Sequence, residues 1–481
     1  MRLRALPQSL SCLVYATLAL TESLSLDALY SFSGPSLSDP TTFSLPQAQQ
    51  LFVSIAICST EATSPTFFVT NNSDTTAVTE STSSSDVFQI PLQSGFGYWT
   101  GTAPQGAFLT VQNIGQTSFQ VAVSNGCMYP DQVVLYSILI LPAALVHELL
   151  PSLPLLGDTT NTQALIYSYP FSPVDSSPSI YPNYTLPPAN LSAPSLPSEP
   201  PAFSLFIAPT SSGLTSGPQT ACAIQSASTS VSVLTNDSWL RGNEGWRSQW
   251  LIGGLTPSTN YTAYVVQDQV KLSGPIYFST KSPSFSCPLV HSLPYCPSTS
   301  YAVPLPFPQS PATFYDSSTL PQSISDPLLQ YMTNFTAMLL TFPCGRDLYS
   351  PLQTCESCQE AYRNWLCSVS FPRCAEPPSS SSSPSSPTPA LTAPQSGLNA
   401  RNPNLPNVSY SYQTVLPCLE VCNAADRACP NFLGIKCPNP RFNAASSYGV
   451  GYIDSSTQGV FGGGSTGTAQ DRWGNVWCNP S

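Results

Sequence analysis

Sixteen cysteines and two histidines set the chemistry open to this 481-residue chain. Ser-His-Asp, Cys-His and multi-His metal centres each need an imidazole within reach. Only His147 and His291 are present. The run Gly462-Gly463-Gly464-Ser465-Thr466-Gly467 fits a dinucleotide fingerprint and, around Ser465, a nucleophile elbow. Neither has its context. No strand–turn–helix unit surrounds the glycines. A hydrolase of the elbow type places its His after the Ser, and both histidines come before it. Asp347 and Asp454 lie in no calcium loop of known spacing. The sequence therefore predicts no enzyme, no catalytic residue, no metal and no cofactor.

The cysteines divide between zinc and disulfide chemistry. Cys355-x2-Cys358 and Cys418-x3-Cys422 have zinc-like spacings. No histidine pair accompanies them, and the chain reads as secreted, where thiols oxidise. Met1-Arg2-Leu3-Arg4, an apolar run to Leu20 and small residues at Ser23 and Ser25 make a secretory signal over 1–25. Cleavage near Ser25 would remove Cys12. Sequons at Asn71, Asn183, Asn190, Asn236, Asn260, Asn334 and Asn407 are the expected glycosylation sites. Glycans would supply the solubility of a chain only 8% charged, against about 25% ordinarily.

The net charge is −11, with 14 basic residues and no basic cluster. Nucleic acid is therefore a poor partner, and acidic lipid headgroups would not attract the chain; the plasma membrane is expected as a partner only peripherally or through another subunit. One stretch, Val133 to Leu150, approaches a membrane span. It is short of about 20 apolar residues and carries Pro142, His147 and Glu148. It reads as a buried strand, Val133–Leu141, running into a loop.

The elements that must hold these residues are mostly β. Proline is 51 of 481 residues, which long helices do not tolerate. A β-sandwich-like region is expected over 27–150, with strands at Leu51–Cys58, Ala107–Val111, Ser118–Val123 and Val133–Leu141. Asn71–Asp86 is Ser/Thr-rich and reads as a loop. Cys58 and Cys127 are placed to close one disulfide across the sandwich.

A second sandwich is expected over 157–282. Its strands fall at Ala164–Tyr169, Phe203–Ile207, Val231–Leu234, Trp250–Ile252, Tyr261–Gln267 and Ile276–Ser279. The run Leu255 to Val265 resembles the tyrosine corner of fibronectin type III and related sandwiches. From Cys287 to Cys478 lie twelve cysteines and three amphipathic helices. These are Leu328–Leu340, Cys355–Val369 and Leu419–Cys429, with apolar residues and cysteines at i, i+3, i+4 and i+7. A Pro/Ser-rich insert at 376–400 lacks apolar surface to offset its ordering entropy and is expected to be disordered. On helix 355–369, Glu356, Glu360 and Arg363 lie off the apolar stripe and are the candidate partner-binding residues.

The run Cys358-x8-Cys367-x6-Cys374, with Pro417-Cys418-x3-Cys422-x6-Cys429 after it, resembles the cysteine-rich domain of Frizzled receptors. Cys287-x8-Cys296 with Tyr301 resembles that domain's opening. With the signal, the sequons and the run Pro154-Leu155-Leu156-Gly157-Asp158-Thr159-Thr160, the whole resembles the fungal mating-induced-death family. The resemblance implies a disulfide pairing: Cys287 with Cys374, Cys296 with Cys367, Cys358 with Cys429, Cys418 with Cys478, and Cys422 with Cys437. Cys344 and Cys355 are extra to the Frizzled pattern and free to pair together, leaving Cys222 odd. The implied fold is α+β and multidomain: two β-sandwich-like regions, then a mainly helical Frizzled-like domain over 287–481. The implied role is an extracellular accessory subunit of a stretch-linked plasma-membrane calcium channel. The pore would belong to a separate four-repeat α subunit. The route is the secretory pathway to the outer face of the plasma membrane, with the endoplasmic reticulum a second station. The alternative role is a receptor module holding a lipid or other ligand between Frizzled-like helices.

Overall fold

The structure is a computed structural model. It describes residues 22–59, 65–71, 86–125, 147–150, 152–173, 183–191, 196–228, 231–377, 390–399, 401–439, 443–449, 470–471 and 473–480. Cys12, Cys127, the strand expected at Val133–Leu141, Asp454 and the glycine run 462–467 lie outside these residues, as do most of the signal segment and of the 71–86 loop. The chain forms two compact units, residues 1–147 with 218–223, and residues 148–217 with 224–481.

The first unit holds β1 (Glu22–Ser23), β2 (Ala28–Phe32), β3 (Thr41–Leu45), β4 (Ala48–Ile57), β5 (Thr66–Thr70), β6 (Val87–Ile90), β7 (Phe96–Ala103), β8 (Ala107–Gln112) and β9 (Phe119–Ser124). They make two sheets, ordered β1-β3-β8-β5-β6 and β2-β9-β4-β7. One core takes Phe43, Phe67 and Leu109 from the first sheet and Val53, Ile55 and Val121 from the second, so the sheets pack face to face. From Phe52 to Ala56 even the β4 residues facing away from that core are buried. Ala56, with Ala122 of β9, lies under Phe96 and Cys222.

Cys222 also corrects the expected disulfide. Cys58 bonds to Cys222, not to Cys127. The segment 218–223 is held at the end of β4, where the Thr220 hydroxyl donates to the Ile57 carbonyl. Cys222 therefore is not the odd cysteine. The end of the leader expected over 1–25 falls within the sandwich. Leu24 is 1% exposed in the sandwich core, its N–H donates to the Ser44 carbonyl, and β1 pairs in parallel with β3. Cleavage near Ser25 would strip a core side chain and an edge strand.

The second unit is layered. Its strands are β10 (Glu148–Leu149), β11 (Leu155–Thr159), β12 (Ala164–Tyr167), β13 (Phe203–Pro209), β14 (Ser232–Leu240), β15 (Trp246–Gly253), β16 (Asn260–Gln267) and β17 (Lys271–Ser279), then β18 (Leu289–Val290), β19 (Tyr301–Ala302), β20 (Arg373–Ala375), β21 (Gln395–Gly397) and β22 (Val408–Val415). Sheet β10-β17-β16-β13 packs on sheet β11-β12-β15-β14 through Ile166, Trp250, Ile252, Val265 and Phe278. The alternate residues of the same strands, Leu165, Tyr167 and Leu251, pack on Phe285, Cys287, Leu289, Cys374 and Tyr412. β12 and the Trp250–Ile252 part of β15 are thus buried on both faces, which is why these stretches read as continuous apolar runs. No seam falls between 282 and 287; the second sandwich and the cysteine-rich region share a core.

At the tyrosine corner, the Tyr261 hydroxyl accepts the Thr256 N–H at 2.9 Å, and its ring stacks on Phe278. Helix α1 (Ala221–Ala227) starts at the segment that carries Cys222. The cysteine-rich region holds α2 (Gln322–Leu339), α3 (Cys355–Ser370) and α4 (Leu419–Ala428). It is less helical than expected, because β18 to β22 lie among the helices. The expected disorder at 376–400 also fails over 390–399: Ala390 N–H bonds to the Trp477 carbonyl, and β21 pairs with β22.

Candidate functional site

The run Pro154–Thr160 lies at β11, in the middle sheet, where a bulge falls between Leu156 and Asp158. Gly157 is required there: a Cβ would sit 2.8 Å from the Ser300 carbonyl oxygen. The bulge points Asp158 into the cysteine-rich layer. Its carboxylate is 1% exposed. It receives Arg373 Nη2 at 3.0 Å, Arg373 Nε at 3.1 Å, the Ala302 N–H at 3.1 Å and the Thr159 N–H at 2.9 Å. Burial pushes the Asp158 pKa up, but the charges of Arg373 and Lys281 and these hydrogen bonds outweigh it and hold the carboxyl below its ordinary value.

Arg373 also donates to the Gly157 carbonyl, and its guanidinium lies over the Tyr301 ring. The Tyr301 hydroxyl donates to the Phe371 carbonyl and accepts from Asn479. Thr159 Oγ1 donates to the Ser279 carbonyl of the outer sheet. One short run thus ties all three layers together. It is a structural joint: the Asp158 carboxylate and the Arg373 guanidinium both face partners inside the protein.

Helix α3 begins with a capping box between Thr354 and Ser357. Arg363 was expected to meet a partner; it is instead 4% exposed. Its guanidinium donates to the carbonyls of Ala189, Pro188 and Tyr295. Burial lowers its pKa to about 10, opposed by Glu360, so it stays charged at neutral pH. Gln359, one turn earlier, donates to the Pro187 carbonyl and to Thr336 of α2. Together they grip an extended strap, 183–191. An apolar stripe shows from sequence; that a charged residue beside it would be consumed by backbone carbonyls about 170 positions upstream does not. Glu356 and Glu360 are half-buried.

The space between α2 and α3 is filled. Phe335 and Tyr362 stack at 3.6 Å, and Tyr184 and Leu186 of the strap pack on the same cluster. The groove that a lipid would need is occupied by the chain itself.

The disulfides of this region join Cys287 to Cys374, Cys296 to Cys367, Cys344 to Cys355, Cys358 to Cys429, Cys418 to Cys478 and Cys422 to Cys437. The group of Cys418, Glu420 and Cys478 has the closeness of a metal site, but both sulfurs are spent in a disulfide. Of the sequon asparagines, Asn183, Asn190, Asn236, Asn260, Asn334 and Asn407 are exposed, and Asn71 is half-buried. Sequence reasoning missed the most exposed large apolar side chains among the described residues, Leu352 at 86% and Leu348 at 80%. Both sit in the loop closed by Cys344–Cys355; apolar residues between closely spaced cysteines were the available signal.

The family model for "Stretch-activated Ca2+-permeable channel component", Mid1, matches residues 46–464. The chain belongs to the Mid1 family. The stretch-activated cation channel MID1 of Cryptococcus neoformans is 36% identical over 81% of this chain and 69% of its own length. The stretch-activated cation channel yam8 of Schizosaccharomyces pombe is 31% identical over 44% of each chain. MID1 of Saccharomyces cerevisiae is 31% identical over 39% of this chain and 34% of its own. Among solved structures, the pre-peptidase C-terminal domain of a Bacillus anthracis collagenase matches 22% of this chain and 94% of that domain at 15% identity. Its TM-score of 0.16 carries no argument. The Mid1 match includes the Asp158–Arg373 joint and every cysteine in the disulfides above except Cys478.

Proposed function

We propose that this Mid1-family chain is an extracellular accessory subunit of a plasma-membrane, stretch-linked calcium channel, and that it supports Ca2+ entry through a separate four-repeat pore subunit. The observation that carries the reading is the family match across both compact units. The physical features agree with it. Among the described residues no helix is long and apolar enough to cross a membrane. Disulfides and exposed sequon asparagines suit passage through the secretory pathway to the outer face of the membrane. The three-helix, disulfide-bonded region is the Frizzled-like head of this reading. The loop bearing Leu348 and Leu352 is its contact to the pore subunit. Glu356 and Glu360 flank that contact.

Purification of the tagged chain from fungal membranes tests this. A large four-repeat channel should co-purify, and cells lacking the chain should lose high-affinity calcium uptake. Recovery of the chain alone, with uptake intact in its absence, would overturn the proposal.

A further inference from the structure

The outer face of α2 is uncharged. The buried stripe of this helix is Ile324, Leu328, Met332, Phe335 and Leu339. The side facing water carries Gln330, Tyr331, Thr333, Asn334, Ala337 and Met338. Between Asp326 and Arg346 the chain has no charged residue, whereas the solvent side of a surface helix is ordinarily charged. Tyr331 is 55% exposed and Met338 44%. Asn334, with Phe335 and Thr336, is a sequon at the centre of this face. Tyr331 precedes it by three positions and Met338 follows by four, so Asn334 neighbours both, at about 5–6 Å between Cβ atoms.

Helical side chains lean towards the N-terminus and cover the turn before their own. A group carried on Asn334 Nδ2 therefore lies over Gln330 and Tyr331, not over Met338. A pyranose has an apolar C–H face, and Tyr331 offers it an aromatic one. A glycan at the centre of this face would hold a protein partner off it. The Thr336 hydroxyl, which a sequon presents to its transferase, is engaged in the folded helix. It donates to the Met332 carbonyl at 2.8 Å and accepts from Gln359 Nε2 at 2.7 Å. Attachment of a glycan therefore precedes the folding of α2.

We propose that Asn334 carries an N-linked glycan whose first sugar stacks on Tyr331, so that the chain's own carbohydrate covers the outer face of α2. Asn334 Nδ2 bonds to the anomeric carbon of a polyprenyl-diphosphate-linked oligosaccharide; the diphosphate leaves with the bonding pair, and the amide proton passes to a base. The proposal rests on the secretory part of the reading above and not on the channel contact. If that contact also holds, the glycan closes α2 to the pore subunit and leaves the Cys344–Cys355 loop open to it.

The test uses the full chain purified from a fungal host, with no channel present. Glycopeptide mass spectrometry reads occupancy at Asn334, and hydrogen exchange reads the amides of α2. Asn334 should be occupied. Asn334→Ser and Tyr331→Ser, in which serine matches the helix propensity of both residues, should each lower the protection of α2 about fivefold, the scale of a ring contact. The double variant should lower it no further than either alone. Met338→Ser, on the side away from the sugar, should instead add its effect to that of Asn334→Ser. All three side chains are exposed, so folding is not at stake. An unmodified Asn334 beside other occupied sequons, protection unmoved by either variant, or additive losses from Asn334→Ser and Tyr331→Ser would each overturn the proposal. Bare asparagine at every sequon would overturn the secretory reading with it.

Discussion

At the scale of residues, the Asp158–Arg373 pair dominates. Both side chains are nearly free of water, at 2% and 6% exposure. Removing one charge strands the other in the interior, which costs about 3–5 kcal/mol. Asp158→Asn or Arg373→Met should lower the stability of the purified protein by that scale in a denaturant titration. The double variant should cost less than the two summed; strict additivity would show that the charges do not act as a pair. The histidines give a pH signature. Burial lowers the pKa of His147 and His291 to about 4 from 6.5. Between those values the unfolded chain binds more protons, so stability is complete above pH 6.5 and falls as pH drops towards 4. The Asp158 shift has the same sense. Its stability is present above the unfolded value of 3.8 and is lost below it. His291→Gln should flatten the slope between pH 6.5 and 4, whatever it does to absolute stability; an unchanged slope would refute the assignment.

At the scale of elements, two predictions follow from the first sandwich. Thiol mapping of the purified chain should find Cys58 bonded to Cys222, and Cys127→Ser should leave that bond intact. A Cys58–Cys127 peptide would contradict the packing of Cys222 on Ala56 and Ala122. Terminal sequencing should place the mature N-terminus at or before Glu22, because Leu24 belongs to the core. A start after Ser25 would mean that the sandwich folds without β1. These are also the places where the sequence was least legible. Strands with continuous apolar runs, such as β4 and β16, could be read from composition, and helices α2, α3 and α4 from their periodicity. β2, β3, β5, β6 and β7 could not: β5 is buried along nearly all its length without alternation, and β7 carries Gly97 and Gly101 within it. Contacts made across long sequence separations were hidden altogether. Cys58 to Cys222 spans 164 residues and Asp158 to Arg373 spans 215. No local pattern encodes such a partner. The role of Arg363 was misread for the same reason, since the strap it holds is remote in sequence.

At the scale of the whole molecule, the question is how a chain with so few charges meets a partner. Its exposed sequon asparagines mark surface that glycans would cover, and glycans exclude a protein interface. The Cys344–Cys355 loop contains no sequon and displays Leu348 and Leu352. Its one ion pair, Arg346 with Asp347, is internal to the loop and exposed, so it neither steers nor repels a partner strongly. The disulfide closes the loop, which would cut the ordering entropy that the proposed association must otherwise overcome. Apolar side chains on a rigid loop are the composition of an interface core. The double variant Leu348→Asp/Leu352→Asp should therefore be secreted at normal levels, since neither side chain is in a core. It should lose channel co-purification at least about tenfold, the scale expected when hot-spot side chains are replaced. Leu398→Asp, exposed at 61% on another surface, serves as the control and should leave association unchanged. If the loop variant still recovers the channel at wild-type yield, the contact lies elsewhere on the cysteine-rich region, and the exposure of these two leucines must be explained by something other than the pore subunit.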